Sequence, residues 1–104
     1  MNHGLSDETI LKLQLLFSKY NVIEEVILYG SRAMGTYREG SDIDLTVMGE
    51  DIDPILIFKI QSDYDDLLLP YKMDLSMYTS ITNDELKDHI RRVGKLFYEK
   101  KANN

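Results

Sequence analysis

Cysteine is absent from this chain. Disulfides, thiolate metal sites and cysteine nucleophiles are therefore excluded, and the composition fits a reducing compartment. Histidine is scarce: His3 and His89 are the only two. Neither has a second ligand or an orienting partner evident in the sequence. His89 is expected to serve helix packing or an interface rather than catalysis, and His3 to lie in a mobile terminus. No run approaches the ~20 apolar residues that cross a bilayer. The opening MNHGLSDETI lacks the basic start and apolar stretch of a signal peptide. A cytoplasmic chain without membrane association is expected. Repeats, low-complexity tracts and linker-like runs are absent as well. Basic residues are outnumbered, 12 Lys and Arg against 18 Asp and Glu, for a formal net charge of −6. Phosphate-backbone binding needs clustered Lys and Arg, so direct nucleic-acid binding is not expected. The acidic balance suits a basic protein partner, or simply solubility.

What is present is an ordinary apolar fraction of 43% over 104 residues, enough for one packed domain spanning 1–104. Ser6 reads as a helix cap with Asp7 and Glu8 in the first turn, followed by Ile10, Leu13, Phe17 and Tyr20 at helical spacing. Val26 to Tyr29 is a short apolar run stopping at Gly30, as a buried strand would. Ile43, Leu45 and Val47 alternate with polar neighbours in a second strand. Asp53 and Pro54 open a second long helix carrying Ile57, Ile60, Tyr64 and Leu67, which Pro70 ends. Met73, Leu75 and Met77 predict a third strand. Thr82 and Glu85 form a capping-box pattern before a last helix predicted over Leu86, Ile90, Val93 and Phe97. The order implies an α/β fold with about three strands flanked by helices.

Two stretches carry chemistry. Asp42 and Asp44 sit two apart on a strand and so project from the same face. Asp74 stands in the same phase on the third strand. If those strands are neighbours, three carboxylates converge on one face, an arrangement that disfavours full ionisation without a cation. Oxygen donors suit a hard divalent ion, magnesium above all where phosphates share the site. An EF-hand is excluded because Val47 stands where its loop glycine would be. Against this, an isolated Asp-x-Asp more often marks a strand end or turn. The second stretch is Gly30-Ser31-Arg32. Glycine after a strand permits a tight turn or close approach by a ligand. Ser31 to Met34 can begin a short helix closed by Gly35, with a hydroxyl and a guanidinium available to phosphate. A plain strand-to-helix turn with a surface arginine is the simpler alternative. A Walker A loop is excluded, since Thr36-Tyr37 follow Gly35, and the dinucleotide fingerprint is absent. Tyr37 is read as an exposed loop tyrosine. The basic run Lys87, Arg91, Arg92 and Lys95 is read as a solvated face.

Gly30-Ser31, ten residues, Asp42-x-Asp44, and a strand-borne Asp74 together make the pattern G-S-x10-D-x-D. On these residues the chain resembles the minimal nucleotidyltransferases of the DNA polymerase β superfamily, in particular the MNT antitoxins encoded with HEPN toxins. The resemblance implies a polymerase β palm-like nucleotidyltransferase fold and AMP transfer from ATP with two Mg2+ ions. It implies that Asp42, Asp44 and Asp74 are catalytic and hold both metals, and that Gly30, Ser31 and Arg32 bind the nucleotide. It further implies a HEPN ribonuclease toxin as partner, neutralised by adenylylation of a tyrosine. Relatives often carry a second arginine where this chain has Met34. The alternative is a non-catalytic binding module that inhibits a HEPN-type partner by complex formation. A standalone transferase acting on a small alcohol would need a pocket that so short a chain hardly encloses.

Overall fold

The computed structural model describes residues 3–101. Helix α1 (Asp7–Ser18) begins where Ser6 accepts the Thr9 N–H through its side chain. It leads into strand β1 (Glu25–Tyr29), the short helix α2 (Gly30–Met34) and strand β2 (Ile43–Met48). Helix α3 (Pro54–Asp65) is capped by Asp53, whose carboxylate accepts the Leu56 N–H at 2.8 Å. Strand β3 (Met73–Met77), a 3-10 turn at Tyr78–Ser80, helix α4 (Asp84–Val93) and strand β4 (Lys95–Glu99) follow.

The sheet has four strands in the order β3-β2-β1-β4. β1 runs antiparallel to β2 and to β4, while β2 and β3 are parallel. The third and fourth strands thus lie on opposite edges. One face is covered by α1 and α3, and the core between them is built from Leu13, Phe17, Val26, Leu28, Ile43, Leu45, Val47 and Ile60. These side chains are essentially removed from water. Burying an aliphatic or aromatic side chain of this size contributes roughly 1.5–3 kcal/mol, so the alternating positions of β2 fix its register. A one-residue slip would carry Ile43, Leu45 and Val47 to the opposite face.

Two expectations are corrected. The last helix does not reach Phe97: it ends at Val93, and the chain turns at Gly94 into β4. Phe97 is buried from the sheet rather than from a helix face. A Cβ at position 94 would overlap the Ile90 carbonyl oxygen and lie 2.8 Å from Ile27 Cγ2, so only glycine lets the chain turn this close to β1. The cap of α4 is Asn83, which accepts the Leu86 N–H at 3.0 Å, in place of the Thr82–Glu85 pair. Among the described residues no helix is long and apolar enough to cross a membrane.

Candidate active site

The sheet brings the predicted carboxylates to one end of β2 and β3. In the parallel pairing, Asp44 stands opposite Asp74, and Tyr29 of β1 pairs with Asp44 from the other side. Asp42 lies just before β2 and is exposed, as is Asp74, whereas Asp44 is half-buried. The alternation that sends Ile43 and Leu45 into the core sends these aspartates away from it. Burial, then the charges of Asp74 and Asp42, hold the Asp44 carboxyl above its ordinary pKa. The charges of Asp74 and Asp44 also add to burial in holding the Tyr29 phenol above its own. A shared negative field is therefore built into this end of the sheet.

Among the described residues, no three Asp, Glu or His side chains are gathered closely enough to hold a metal ion. Like charges repel, and Asp42 and Asp74 are both exposed to solvent. The donor set itself, three carboxylates in one negative field, fits a hard divalent cation in kind.

Gly30 closes the same corner. Its φ is +75°, a conformation open chiefly to glycine. A Cβ here would overlap Asp44 Oδ2 and lie 3.2 Å from Asp44 Cγ. The glycine is therefore required twice, by the turn and by the carboxylate resting on its α-carbon. Ser31 follows, half-buried, and α2 ends at Gly35 with φ +81°, as the spacing predicted.

Arg32 is used differently from the expected phosphate contact. It is only 2% exposed. Its Nε and Nη2 donate to the Ser41 carbonyl at 3.1 and 2.8 Å, and Nη1 donates to the His3 carbonyl at 3.0 Å. The guanidinium lies over the rings of Tyr37 and Tyr71, with centroid distances of 5.4 and 4.9 Å. Planar stacking and forked donation are what a guanidinium does and an ammonium cannot. Tyr37 is accordingly half-buried rather than an exposed loop residue, and His3 is tied to the body of the domain through its carbonyl. The first and last residues of the ten between Ser31 and Asp42 are thus joined by one side chain.

Sequence reasoning missed His89 as a neighbour of this corner. Its Nε2 accepts the Gly30 N–H at 3.0 Å, and its ring meets Tyr29 edge-on with centroids 6.2 Å apart. No local signal announces a contact between positions so distant in the chain. Its place on α4 beside the buried Ile90 was the only hint. The basic residues of α4 are largely solvated, with Arg91 and Arg92 paired to Asp88 within their own helix.

The comparisons with known proteins place this fold in one family. The family described as Polymerase beta, Nucleotidyltransferase matches residues 11–103. The chain is 32% identical over 71 residues to protein adenylyltransferase MntA of Thermococcus cleftensis, across 68% of this chain and 72% of that protein. It superposes on one chain of a toxin–antitoxin complex crystallised with AMP-PNP with a TM-score of 0.69 at 26% identity, covering 93% of this chain and 76% of the other. A chain from the complex of tri-AMPylated Shewanella oneidensis HEPN toxin with MNT antitoxin shares the fold, with a TM-score of 0.62 at 21% identity over 94% and 73% of the two chains. The match to the family runs from within α1 through β4 and includes every strand that carries the carboxylates, and the chain therefore belongs to the polymerase β nucleotidyltransferase family.

Proposed function

We propose that this chain is an antitoxin that transfers AMP from ATP to a tyrosine hydroxyl of a cognate HEPN-type ribonuclease toxin and thereby silences it. The observation that carries the reading is the in-register pairing of Asp44 with Asp74 beside Gly30, with Asp42 adding its charge. The similarity to a protein adenylyltransferase and to a toxin–antitoxin complex holding an ATP analogue supports it.

In this reading Gly30 and Ser31 seat the triphosphate. The tyrosine oxygen bonds to the α-phosphorus, its proton passes to solvent water, and the bond to the β-phosphate oxygen breaks to release pyrophosphate. Asp42, Asp44 and Asp74 would hold two Mg2+ ions, which when bound supply charge neutralisation and acidify the acceptor hydroxyl. Arg32 contributes at one remove: its bonds to Ser41 and His3 fix the segment that delivers Asp42 to β2. Asp44 is disfavoured as an anion by burial and by its neighbours, and a bound cation would relieve that charge.

The test is incubation of the purified chain and its partner with α-labelled ATP and magnesium. Label is expected on the partner, and Asp42→Asn, Asp44→Asn and Asp74→Asn should each abolish it while the fold persists. Near-full labelling by all three variants would refute the assignment. A second reading, inhibition by complex formation alone, is favoured by a specific surface. Leu11, Leu15 and Leu96 are each more than half exposed along a groove of about 610 Å³ between α1 and β4. Full inhibition of the partner without ATP, and with no label transferred, would select it.

A further inference from the structure

The peptide N–H of Gly30, in the glycine turn, is taken by a side chain from another element. His89 Nε2 accepts it at 3.0 Å. An unprotonated imidazole nitrogen is the acceptor such a bond requires. The ring itself is fixed. Its neighbour Ile90 is buried in a small apolar cluster with Tyr29 and Ile81, around which Ile27, Tyr78 and Leu86 pack. The imidazole meets Tyr29 with ring planes at 81°. The same Gly30 carries the Asp44 carboxylate against its α-carbon.

One peptide unit is thus held from two sides, by the imidazole at its nitrogen and by the Asp44 carboxylate at its α-carbon. Glycine at positive φ has the widest conformational freedom of any residue. Without a partner for its N–H, the turn between β1 and α2 could rotate, moving Ser31 and releasing Asp44. We propose that His89 is a positioning residue for the nucleotide: by accepting the Gly30 N–H, it holds the Gly30–Ser31 turn in the setting that receives the triphosphate. This rests on the nucleotide-transfer reading above and adds to it a residue from α4, outside the G-S-x10-D-x-D pattern.

Three variants of the full chain separate this role from simple packing. His89→Ala removes both ring and acceptor. His89→Phe keeps an aromatic ring against Tyr29 but removes the acceptor. His89→Gln places an amide oxygen near the position of Nε2 and can accept the same N–H. Affinity for AMP-PNP in magnesium chloride, measured by titration calorimetry, should weaken about tenfold in His89→Ala and His89→Phe, as the loss of one well-placed hydrogen bond implies. His89→Gln should remain within about threefold of wild type. Affinities of the alanine and phenylalanine variants equal to wild type overturn the proposal, whatever their melting temperatures. A second measurement needs no nucleotide. In 15N-labelled wild type, a scalar coupling should connect the Gly30 amide nitrogen with His89 Nε2, and its absence overturns the proposal. Wild type that shows the coupling but binds no AMP-PNP refutes the nucleotide reading on which the proposal rests, a failure distinct from loss of the hydrogen bond.

Discussion

Gly30 and Gly35 make a matched pair for substitution by alanine. Both have positive φ, +75° and +81°. Placing alanine in the left-handed region costs roughly 1–2 kcal/mol at either site. The surroundings differ. A Cβ at Gly35 meets nothing within 4 Å, whereas at Gly30 it overlaps Asp44 Oδ2 and approaches Asp44 Cγ to 3.2 Å. Asp44 is a short side chain on a strand, so its carboxylate must leave its present position or the backbone must shift. Forced displacement of this kind costs typically about 1–3 kcal/mol. Gly30→Ala should therefore be less stable than Gly35→Ala by about 1–3 kcal/mol in urea melts, or several degrees of Tm at about 4–8 °C per kcal/mol. In an Asp44→Ala background the difference should shrink to below about 0.5 kcal/mol, since the overlapping oxygens are gone. If Asp44 serves transfer as proposed, Gly30→Ala should lower the rate on the order of a hundredfold, because that carboxylate has been moved by about an ångström. Gly35→Ala should transfer AMP at nearly the wild-type rate. Equal destabilisation by the two substitutions, or a difference that survives in the Asp44→Ala background, would refute the reasoning.

Asp44 also sets a pH dependence. Its pKa is raised in the folded protein, so its ionisation opposes folding at neutral pH, and that opposition is relieved as pH falls through the folded value toward the unfolded one near ~3.9. Asp44→Asn should be as stable as wild type or more so at pH 7, with the gap closing in mild acid; thermal melts across pH 7 to 4 check this, and a widening gap contradicts it. Mg2+ with ATP should raise the wild-type melting temperature, by about 2.7 kcal/mol at one hundred times the dissociation constant, and Asp44→Asn should not show the shift. Arg32→Ala should destabilise by about 2–4 kcal/mol, because charge-assisted bonds to two carbonyls and the stacking between two tyrosines are lost together. Arg32→Lys should recover little of this for want of the planar fork. Arg91→Ala, on the exposed face of α4, should change stability by less than about 1 kcal/mol in the same urea melts.

The features legible in the sequence were those with a local period or a local cap. The alternation over β2 and β3 placed Asp44 and Asp74 on the strand face opposite Ile43 and Leu45, and the pairing of those strands puts the two aspartates side by side. The caps Ser6 and Asp53 and the turn at Gly35 were readable because each acts within a few residues of itself. β4 was misread because Phe97 continues the helical spacing of Leu86, Ile90 and Val93. Gly94 was the contrary signal, a helix stop followed, after Lys95, by the three large residues Leu96, Phe97 and Tyr98. Arg32 and His89 were misjudged for a different reason. Their partners are a carbonyl group nine positions away and an amide 59 positions away. Nothing in composition or periodicity distinguishes an arginine that answers backbone carbonyls from one that awaits a phosphate.

The bond from Arg32 to Ser41 bears on how much change the loop between them tolerates. The two residues are the first and last of the ten that separate the glycine-serine pair from the aspartates, and the guanidinium draws them together. The segment inside this closure, including Gly35 and Gly40, is largely exposed, and neither glycine has any neighbour within 4 Å of where a side chain would begin. Extra residues inserted at Gly40 would enlarge a loop whose ends are already joined, and doubling a loop's length adds only about 0.6 kcal/mol of closure entropy, besides the exposed turn bonds between Arg38 and Ser41 that the insertion would break. A single residue inserted between Ser41 and Asp42 falls outside the closure. It would move Asp42 relative to a carbonyl that Arg32 still holds, and would require β2 to slip or bulge. The apparent rigidity of the spacing is thus concentrated at one end: length is cheap at the tip and costly in the last step before the strand.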